Sequence, residues 1–261
     1  MMKLLMSNKI IYLLLNFILY VLYGVLVGVC LIPSALLVIS AYYHAPELTI
    51  IKACVAAIAL GIGIFLFFIT GLIVFGITER LLTLGFKPGK YSKDSPVFVR
   101  WIVYSGVHTI ALSLILPFVL GSGFSQIYYK LIGCKFGKDV FINSVGLHDA
   151  YLLELGDNVV IGGKSDITCH TFEGDSLTLG KVKIGNNVLI GANCYIMPGV
   201  TIGDNCDIGA NSVIRKNKEI KGNSIIMPIP GLPAKQAAKL LNITKRYTLR
   251  DEISTQDGKN C

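Results

Sequence analysis

Charge is scarce in the first third of this sequence. Residues 10–43 contain no charged side chain, and residues 50–78 contain only Lys52. Each run exceeds the roughly 20 apolar residues that cross a bilayer, and both are too long for the core of a signal peptide. The shortage of charged residues in these two runs excludes an ordinary water-soluble chain. We predict one long, tilted or kinked membrane helix from each run, with Pro33 as the kink in the first.

Paired cysteines are also missing. The seven cysteines are scattered and form no Cys-x-x-Cys motif, which argues against a disulfide framework and against a zinc knuckle. We expect reduced thiols that serve mostly as small apolar side chains.

Acidic residues are fewer than basic ones: the chain has 16 Asp and Glu and 24 Lys and Arg, which gives a net charge of +8. One cluster of basic residues follows the second apolar run: Arg80, Lys87, Lys90, Lys93 and Arg100. The positive-inside rule then places this loop and the amino terminus in the cytoplasm, and residues 43–52 outside. Cytoplasmic bias and anionic lipid explain the basic charge more simply than nucleic acid does, so we predict no nucleic-acid partner.

A third apolar run, residues 102–124, contains Pro117. We interpret it as an interfacial or re-entrant helix pair, which keeps the rest of the chain in the cytoplasm. The alternative is a third true span. The predicted location is therefore the cell membrane, multi-pass, with the carboxy-terminal domain on the cytoplasmic side.

Isoleucine recurs at every sixth position in the second half of the chain. The series runs Ile184, Ile190, Ile196, Ile202, Ile208, Ile214, Ile220 and Ile226, and the same period reaches back through Ile167, Ile161, Leu155, Ile142 and Phe136. Neither a strand nor a helix has this period. It is typical of short strands joined by tight corners, three to a coil, with each isoleucine pointing inward. Glycine after the isoleucine would allow corner conformations that a side chain blocks, and Cys194 and Cys206 would be packing residues.

The spacing between Ile167 and Ile184 is 17, one short of three repeats. We therefore expect residues 169–183 to leave the regular wall as a projecting loop, which is where function usually lies on a repeat scaffold. The predicted domains are membrane helices and basic loop (1–100), a helical connector (101–133), the repeat domain (134–233), and a short helix at residues 234–241 followed by a tail (234–261).

The segments YYKLIGCKFG, GLHDAYLLELGD, HTFEGD followed by VKIG, and PGLPAK accompany the repeats. With them the sequence resembles the hexapeptide-repeat acyltransferases, and in particular the membrane-embedded terminal domain of polylysine-type peptide synthetases. The resemblance implies a fold class of membrane α-helices followed by an all-β left-handed parallel β-helix, with a short carboxy-terminal helix. It also implies transfer of an acyl group, acetyl above all, from acyl-CoA to a hydroxyl or amine, without a metal.

In this family the general base is a histidine at the mouth of the projecting loop, a position that His170 matches here. Histidine is the side chain best suited to proton abstraction near pH 7, and Glu173 or Asp175 could orient the ring. His148 is the rival base. It falls at an inward position of the first coil, and it either caps the open end of the prism or reaches a cleft shared with the acceptor. His44 and His108 lie in apolar segments and are interpreted as bystanders.

The resemblance also implies a homotrimer with the site between subunits. Residues placed to meet CoA along the later coils are Lys181, Lys183, Gly191, Arg215, Lys216 and Lys235. The attached helices suggest membrane lipid as a partner and a lipid-linked or glycan acceptor. The related zinc-dependent carbonic anhydrases need three metal-binding histidines, and the repeats offer only His148 and His170. The remaining alternative is a non-catalytic trimeric membrane scaffold.

Overall fold

The computed structural model describes residues 9–228. The described residues up to Ile226 form one compact unit of helices followed by stacked short strands. A second unit begins at Met227, and all but its first two residues lie outside the described part. The helix predicted at residues 234–241 and the PGLPAK segment also lie outside it.

Each of the first two apolar runs forms a single long helix, as predicted. Helix α1 spans Lys9–His44 with Pro33 inside it, and α2 spans Thr49–Thr83. The two helices approach closely where Ser34 Oγ donates a 2.5 Å hydrogen bond to the carbonyl of Gly63. Most large side chains of α1 remain exposed, as expected of helices that face lipid. Within residues 9–228, three helical segments are long and apolar enough to cross a membrane: Asn16–His44, Thr49–Thr83 and Pro96–Phe118.

The third apolar run forms a helix pair. Helix α3 spans Pro96–Leu114, a 3₁₀ turn follows at Leu116–Phe118, and α4 spans Gly123–Ile132. The Ser95 side chain caps α3 by accepting a hydrogen bond from the Phe98 backbone N–H. Gly133 ends α4 in the left-handed region, at φ 106°. The buried face of α3 carries Trp101, Tyr104 and His108, and it lies against the first coil of the strand domain.

The repeat region is a left-handed parallel β-helix, which confirms the predicted fold class. Its strands are β2 (Lys135–Phe136), β3 (Phe141–Ile142), β4 (Leu147–His148), β5 (Leu153–Leu155), β6 (Val160–Ile161), β7 (Asp166–Thr168), β10 (Val182–Ile184), β11 (Leu189–Ile190), β12 (Tyr195–Ile196), β13 (Thr201–Ile202), β14 (Asp207–Ile208), β15 (Val213–Ile214), β16 (Glu219–Ile220) and β17 (Ile225–Ile226). They form three walls, with the strand orders β16-β13-β10-β5-β2, β17-β14-β11-β6-β3 and β15-β12-β7-β4. A 3₁₀ turn, Ala150–Leu152, precedes β5.

The sixth-position isoleucines stack inside the prism, as the period predicts. Ile184 lies opposite Ile202 in the next coil, and Ile202 lies opposite Ile220 in the one after. All three are at most 5% exposed. Burying an isoleucine contributes about 1.5–3 kcal/mol relative to leaving it in water, so these columns are the main stabilising feature of the domain. Cys194 and Cys206 are buried in the same interior.

The glycines that follow these isoleucines are required for a reason other than the predicted backbone conformation. Gly162, Gly185 and Gly191 are not in the left-handed region. A Cβ would lie 2.6 Å from the Ala192 backbone N at Gly162, and 2.5 Å from the Ala210 backbone N at Gly191. The predicted conformational reason is therefore wrong for these three, because close approach of the stacked coils is what excludes a side chain.

Asparagine occupies most of the corners between the short strands. The residue three positions after an inward side chain adopts a positive φ, and in most corners it is asparagine: Asn158, Asn187, Asn193, Asn205, Asn211, Asn217 and Asn223. Asparagine tolerates this conformation better than other residues with a side chain. The side chains also form a ladder, in which Asn187 donates to Asn205 at 3.0 Å and Asn205 donates to Asn223 at 3.1 Å.

The interruption at residues 169–183 projects from the wall, as predicted. It forms an antiparallel hairpin of β8 (His170–Glu173) and β9 (Ser176–Leu179), with Gly174 at its turn. A further strand, β1 (Gly89–Ser92), comes from the basic loop after α2 and pairs antiparallel with β9. The loop between the helices is therefore part of the same sheet as the hairpin.

Candidate functional site

His170 lies at the base of the projecting hairpin, where β8 leaves the regular coils. Its Nδ1 is 2.5 Å from Asp149 Oδ2 and 3.2 Å from Thr168 Oγ1. The ring also lies against Trp101, with the two ring centroids 4.7 Å apart. Since Nδ1 is held by Asp149, Nε2 is the nitrogen left to exchange a proton with a bound molecule.

Asp149 is buried, with 1% of its surface exposed, and both of its carboxylate oxygens form hydrogen bonds. Its Oδ1 accepts hydrogen bonds from Trp101 Nε1 at 2.8 Å and from the Tyr151 hydroxyl at 3.2 Å. Burial alone would raise the pKa of this carboxyl. The hydrogen bond and charge of His170, together with the Trp101 hydrogen bond, outweigh burial and leave the pKa below its ordinary value.

A cavity of about 300 Å³ opens beside His170. It is bounded on one side by α3, and on the other by the coil residues and the base of the hairpin. Its lining residues are Ser105, His108, Thr109, His148, Asp166, Thr168, His170 and Tyr195. The cavity therefore brings together three of the chain's four histidines, two from the repeats and one from the third apolar segment.

His148 does not point into the prism. In the first coil the inward position is taken by Leu147, which lies opposite Ile167 and is fully buried, while His148 lies opposite Thr168. The predicted inward placement of His148 is wrong by one residue, because the first coil is one residue shorter on this side. The side chain faces the cavity instead, which agrees with the predicted alternative of a shared cleft. Burial, followed by the charge of His108, lowers the pKa of His148.

Glu173 and Asp175, the two predicted orienting groups, lie further along the hairpin and pair elsewhere. Glu173 forms an ion pair with Lys216, and Asp175 forms one with Lys93. Asp149, rather than the predicted Glu173 or Asp175, is the carboxylate on His170 Nδ1. Asp149 precedes His170 by 21 residues, which is close to the length of one coil. This spacing could have predicted that the two residues lie next to each other on adjacent coils.

The predicted CoA-binding residues are spread along the later coils rather than gathered at the cavity. Lys181 donates a 2.7 Å hydrogen bond to Glu154, and Lys216 pairs with Glu173. Lys183 lines a groove of about 470 Å³ together with Lys135, Glu154 and Thr201. Arg215 is exposed, and Gly191 is required by the stacking of coils. Lys235 lies outside the described residues, and the role of the whole set stays a prediction.

Glu154 neutralises part of this basic wall. Hydrogen bonds from Lys181 and Lys135 lower its pKa to about 2, so the carboxylate stays charged at any physiological pH. A phosphate that approached Lys181 would have to compete with Glu154 for it. Within residues 9–228 no group of His, Cys, Asp and Glu side chains is arranged to hold a metal ion.

The buried Asp149–His170 pair predicts a specific dependence of stability on pH. Because the pKa of Asp149 is lower in the folded chain than the ordinary value of about 3.9, the unfolded chain binds more protons between those two values. The stabilisation is complete above the ordinary value and is lost as pH falls through the folded one. We expect Asp149→Asn to lower the free energy of unfolding by about 1–3 kcal/mol at pH 7, and by less at pH 3.

Urea unfolding of both proteins in detergent micelles at the two pH values measures this difference. The difference between wild type and variant isolates Asp149 from the other carboxylates. An equal loss at pH 7 and at pH 3 would mean that the Asp149 charge does not contribute.

Comparisons with known proteins match part of the repeat region. Residues 181–216 match the family described as "Bacterial transferase hexapeptide (six repeats)". Delta-poly-L-ornithine synthetase of Acinetobacter baumannii (strain AB307-0294) is 31% identical over 137 residues, which are 52% of this chain and 10% of that protein. YvoF of Bacillus subtilis (strain 168), which carries the name of an acetyltransferase, is 34% identical over 77 residues, 28% of this chain and 45% of YvoF.

This chain therefore spans about a tenth of the first relative and less than half of the second. Among solved structures, a maltose O-acetyltransferase from Clostridium difficile 630 is 22% identical, with a TM-score of 0.39. The match covers 56% of this chain and 90% of that one. The stacked coils agree with the match over residues 181–216, and they extend the same six-residue period over residues 135–226.

Proposed function

We propose that this protein is a membrane-bound acyltransferase that moves an acyl group, acetyl above all, from acyl-CoA to a hydroxyl or amine. The observation that carries the proposal is the His170–Asp149 pair at a cavity on a hexapeptide-repeat domain. A histidine that is oriented by a buried carboxylate, with its other nitrogen free, is suited to general base catalysis.

In the proposed reaction His170 Nε2 accepts the proton of the acceptor's hydroxyl or amine as that atom attacks the thioester carbonyl. The new bond to carbon forms, the carbon–sulfur bond then breaks, and the imidazolium returns the proton to the departing thiolate. Asp149 stabilises the imidazolium in between and fixes the ring through Nδ1. His148 borders the same cavity and remains the second candidate base, while Glu173 is better suited to positioning the hairpin through Lys216.

The acyl donor in this proposal is acetyl-CoA or another acyl-CoA. A galactoside acetyltransferase solved in complex with coenzyme A is among the structures similar to this one. Basic side chains along the later coils, including Lys183 beside its groove, offer partners for the phosphates of CoA.

The proposed location is the cell membrane, with α1 and α2 crossing it and the β-helix on the cytoplasmic side. Support comes from β1, which lies in the basic loop before α3 and pairs with β9, which comes after α3. Both ends of α3 are thus attached to the same strand domain, and Trp101 and His108 contact that domain along the length of the helix. These contacts favour an α3 that lies at the interface over an α3 that crosses the bilayer.

We also propose a homotrimer, formed through the outer faces of the prism. One wall carries an outward column in which Phe141, Val160 and Leu189 are exposed apolar side chains, followed by Asp207 and then by the exposed Ile225. Exposed apolar columns of this kind favour self-association. The acceptor is proposed to be lipid-linked or a glycan, because the helices bring the cavity of His170 close to the membrane surface.

The test is release of free thiol from acetyl-CoA by the purified protein in detergent. Extracted membrane lipids serve as the acceptor, and their mass spectra are compared with and without incubation. We expect thiol release together with a product heavier by one acetyl group. The non-catalytic trimeric scaffold predicts neither thiol release nor acetyl-CoA binding, so that pair of results would overturn the enzyme proposal.

A further inference from the structure

The cavity beside His170 carries a carboxylate that the proposed mechanism does not use. Asp166, at the start of β7, is one of the lining residues, and its side chain is half-exposed. Its Oδ1 is 3.8 Å from His148 Nε2, which is longer than a hydrogen bond. The carboxylate lies over Gly146, in space that a Cβ on that residue would fill. Asp166 is therefore held at the cavity, and its oxygens are open to a donor from a bound molecule.

The neighbouring hydroxyls supply few hydrogens to such a molecule. Thr109 Oγ1 donates to the Ser105 carbonyl at 2.8 Å, and the buried Thr168 donates to the His170 carbonyl at 3.1 Å. A hydroxyl has a single hydrogen, so both of these hydrogens are already used within the protein. An ionised carboxylate can only accept. A ligand that fits this part of the cavity therefore brings hydrogen-bond donors of its own.

No positive charge at the cavity balances Asp166. Within residues 9–228, no lysine or arginine is among the lining side chains. Burial lowers the pKa of His148, so that ring is neutral near pH 7. The other two histidines, His170 and His108, each face a buried carboxylate. A negative group that was bound beside Asp166 would therefore be repelled by it.

An exposed aromatic ring lies next to Asp166 on the same wall. Tyr195 on β12 pairs in register with Asp166 on β7, and it is also a lining residue. Its side chain is 40% exposed, which leaves a ring face open to a ligand. An aromatic face attracts a cation or packs against an apolar surface, and an anion offers neither. The ring and the carboxylate therefore favour the same kind of ligand.

We infer that Asp166 contacts the acyl acceptor and accepts a hydrogen bond from a hydroxyl or ammonium group next to the atom that is acylated. This inference rests on the proposed function. It defines the acceptor class as one that brings donors and no negative charge to this cavity, such as an uncharged sugar. Asp166 is then a determinant of specificity, because it excludes an acceptor that carries a carboxylate or phosphate at that place.

The test compares two acceptor probes in the thiol-release assay: octyl glucoside, and octyl glucuronide, in which a carboxylate replaces the hydroxymethyl group. The protein is kept in a polyoxyethylene detergent, which has neither sugar nor charge. Each probe is used alone and then as a competitor of extracted membrane lipids, so that binding without reaction is also detected. The variant is Asp166→Asn. Glu219→Gln is the control, because it removes an equal charge from an exposed position on another wall, at β16.

We expect the wild type to have a kcat/KM for octyl glucoside at least about tenfold above that for octyl glucuronide, since like charges repel strongly in a partly desolvated site. Asp166→Asn should bring this ratio close to one, chiefly through KM, while the affinity for acetyl-CoA stays unchanged. Glu219→Gln should keep the wild-type ratio. A loss of folding would lower both probes equally, so the ratio separates recognition from stability.

A third probe, octyl glucosaminide, identifies the donor on the acceptor. A kcat/KM above that of octyl glucoside, which Asp166→Asn abolishes, would assign the contact to an ammonium group. Equal values for the two probes would assign it to a hydroxyl. Both results support the inference, because each group donates to Asp166.

Equal reaction and equal inhibition by octyl glucoside and octyl glucuronide in the wild type would overturn the inference. So would a preference that Asp166→Asn leaves unchanged, or acetylation of the lipid extract that no probe supports or inhibits. These three results leave the proposed function intact. A wild type that neither binds acetyl-CoA nor releases thiol would overturn both.

Discussion

Replacing His170 by alanine is expected to lower the turnover number for acyl transfer by about 10²–10⁴-fold, the usual contribution of a general base. The reason is that His170 combines a ring nitrogen at the cavity with a buried carboxylate on the opposite nitrogen of the same ring. Binding of acetyl-CoA should remain, because the predicted phosphate partners lie on other coils. Thiol release and acetyl-CoA titration measure the two quantities.

Thr171→Ala is the matched control, since Thr171 follows His170 on β8 and its side chain points to the other face of the strand. Its activity should stay near the wild type. His148→Ala decides between the two candidate bases. If turnover survives in His170→Ala and is abolished in His148→Ala, then the base is His148 and the Asp149–His170 pair is structural.

Gly162→Ala is expected to lower the free energy of unfolding by about 1–3 kcal/mol, as overpacking of a tight interior does. The added Cβ would lie 2.6 Å from the backbone N of Ala192. Backbone cannot rotate away as a side chain does, so one coil must move from the next. That movement would also disturb the 2.8 Å hydrogen bond from Gly162 N–H to the Ile190 carbonyl.

Gly163→Ala, one residue later, is the control for this change. Its Cβ would come no closer than 3.5 Å to any group, the nearest being the Asn143 amide. We expect a change within about 0.5 kcal/mol, as at an unconstrained surface position. Urea unfolding of both variants in detergent, followed by circular dichroism, makes the comparison. Equal losses at the two positions would show that contact between coils is not what excludes a side chain at Gly162.

The walls of the β-helix could be predicted from the sequence because they depend on one local rule. An inward side chain every six residues determines the coil, and the stacked Ile184, Ile202 and Ile220 confirm it. The first coil was harder to predict, since the corner between Ile142 and Leu147 is one residue shorter than the others. Leu147 therefore takes the inward position that was predicted for His148. The asparagine corners could also have been predicted, because each asparagine follows an inward side chain by three residues.

The site was predictable only in part, because its partners come from distant segments. The interruption of the period indicated the hairpin that carries His170. Asp149 could have been found from the length of a coil, but Trp101 and His108 could not. They lie on an apolar helix whose sequence shows no period in common with the repeats, and only the packing of α3 on the first coil brings them to His170.

The pairing of β1 with the hairpin has a practical consequence for anyone who cuts this chain. A fragment that starts at the first coil would keep its stacked interior and could fold as a rod. It would lose the strand that borders the hairpin and the indole that bonds Asp149. Such a truncated protein would look like a complete repeat domain while lacking part of the support for His170.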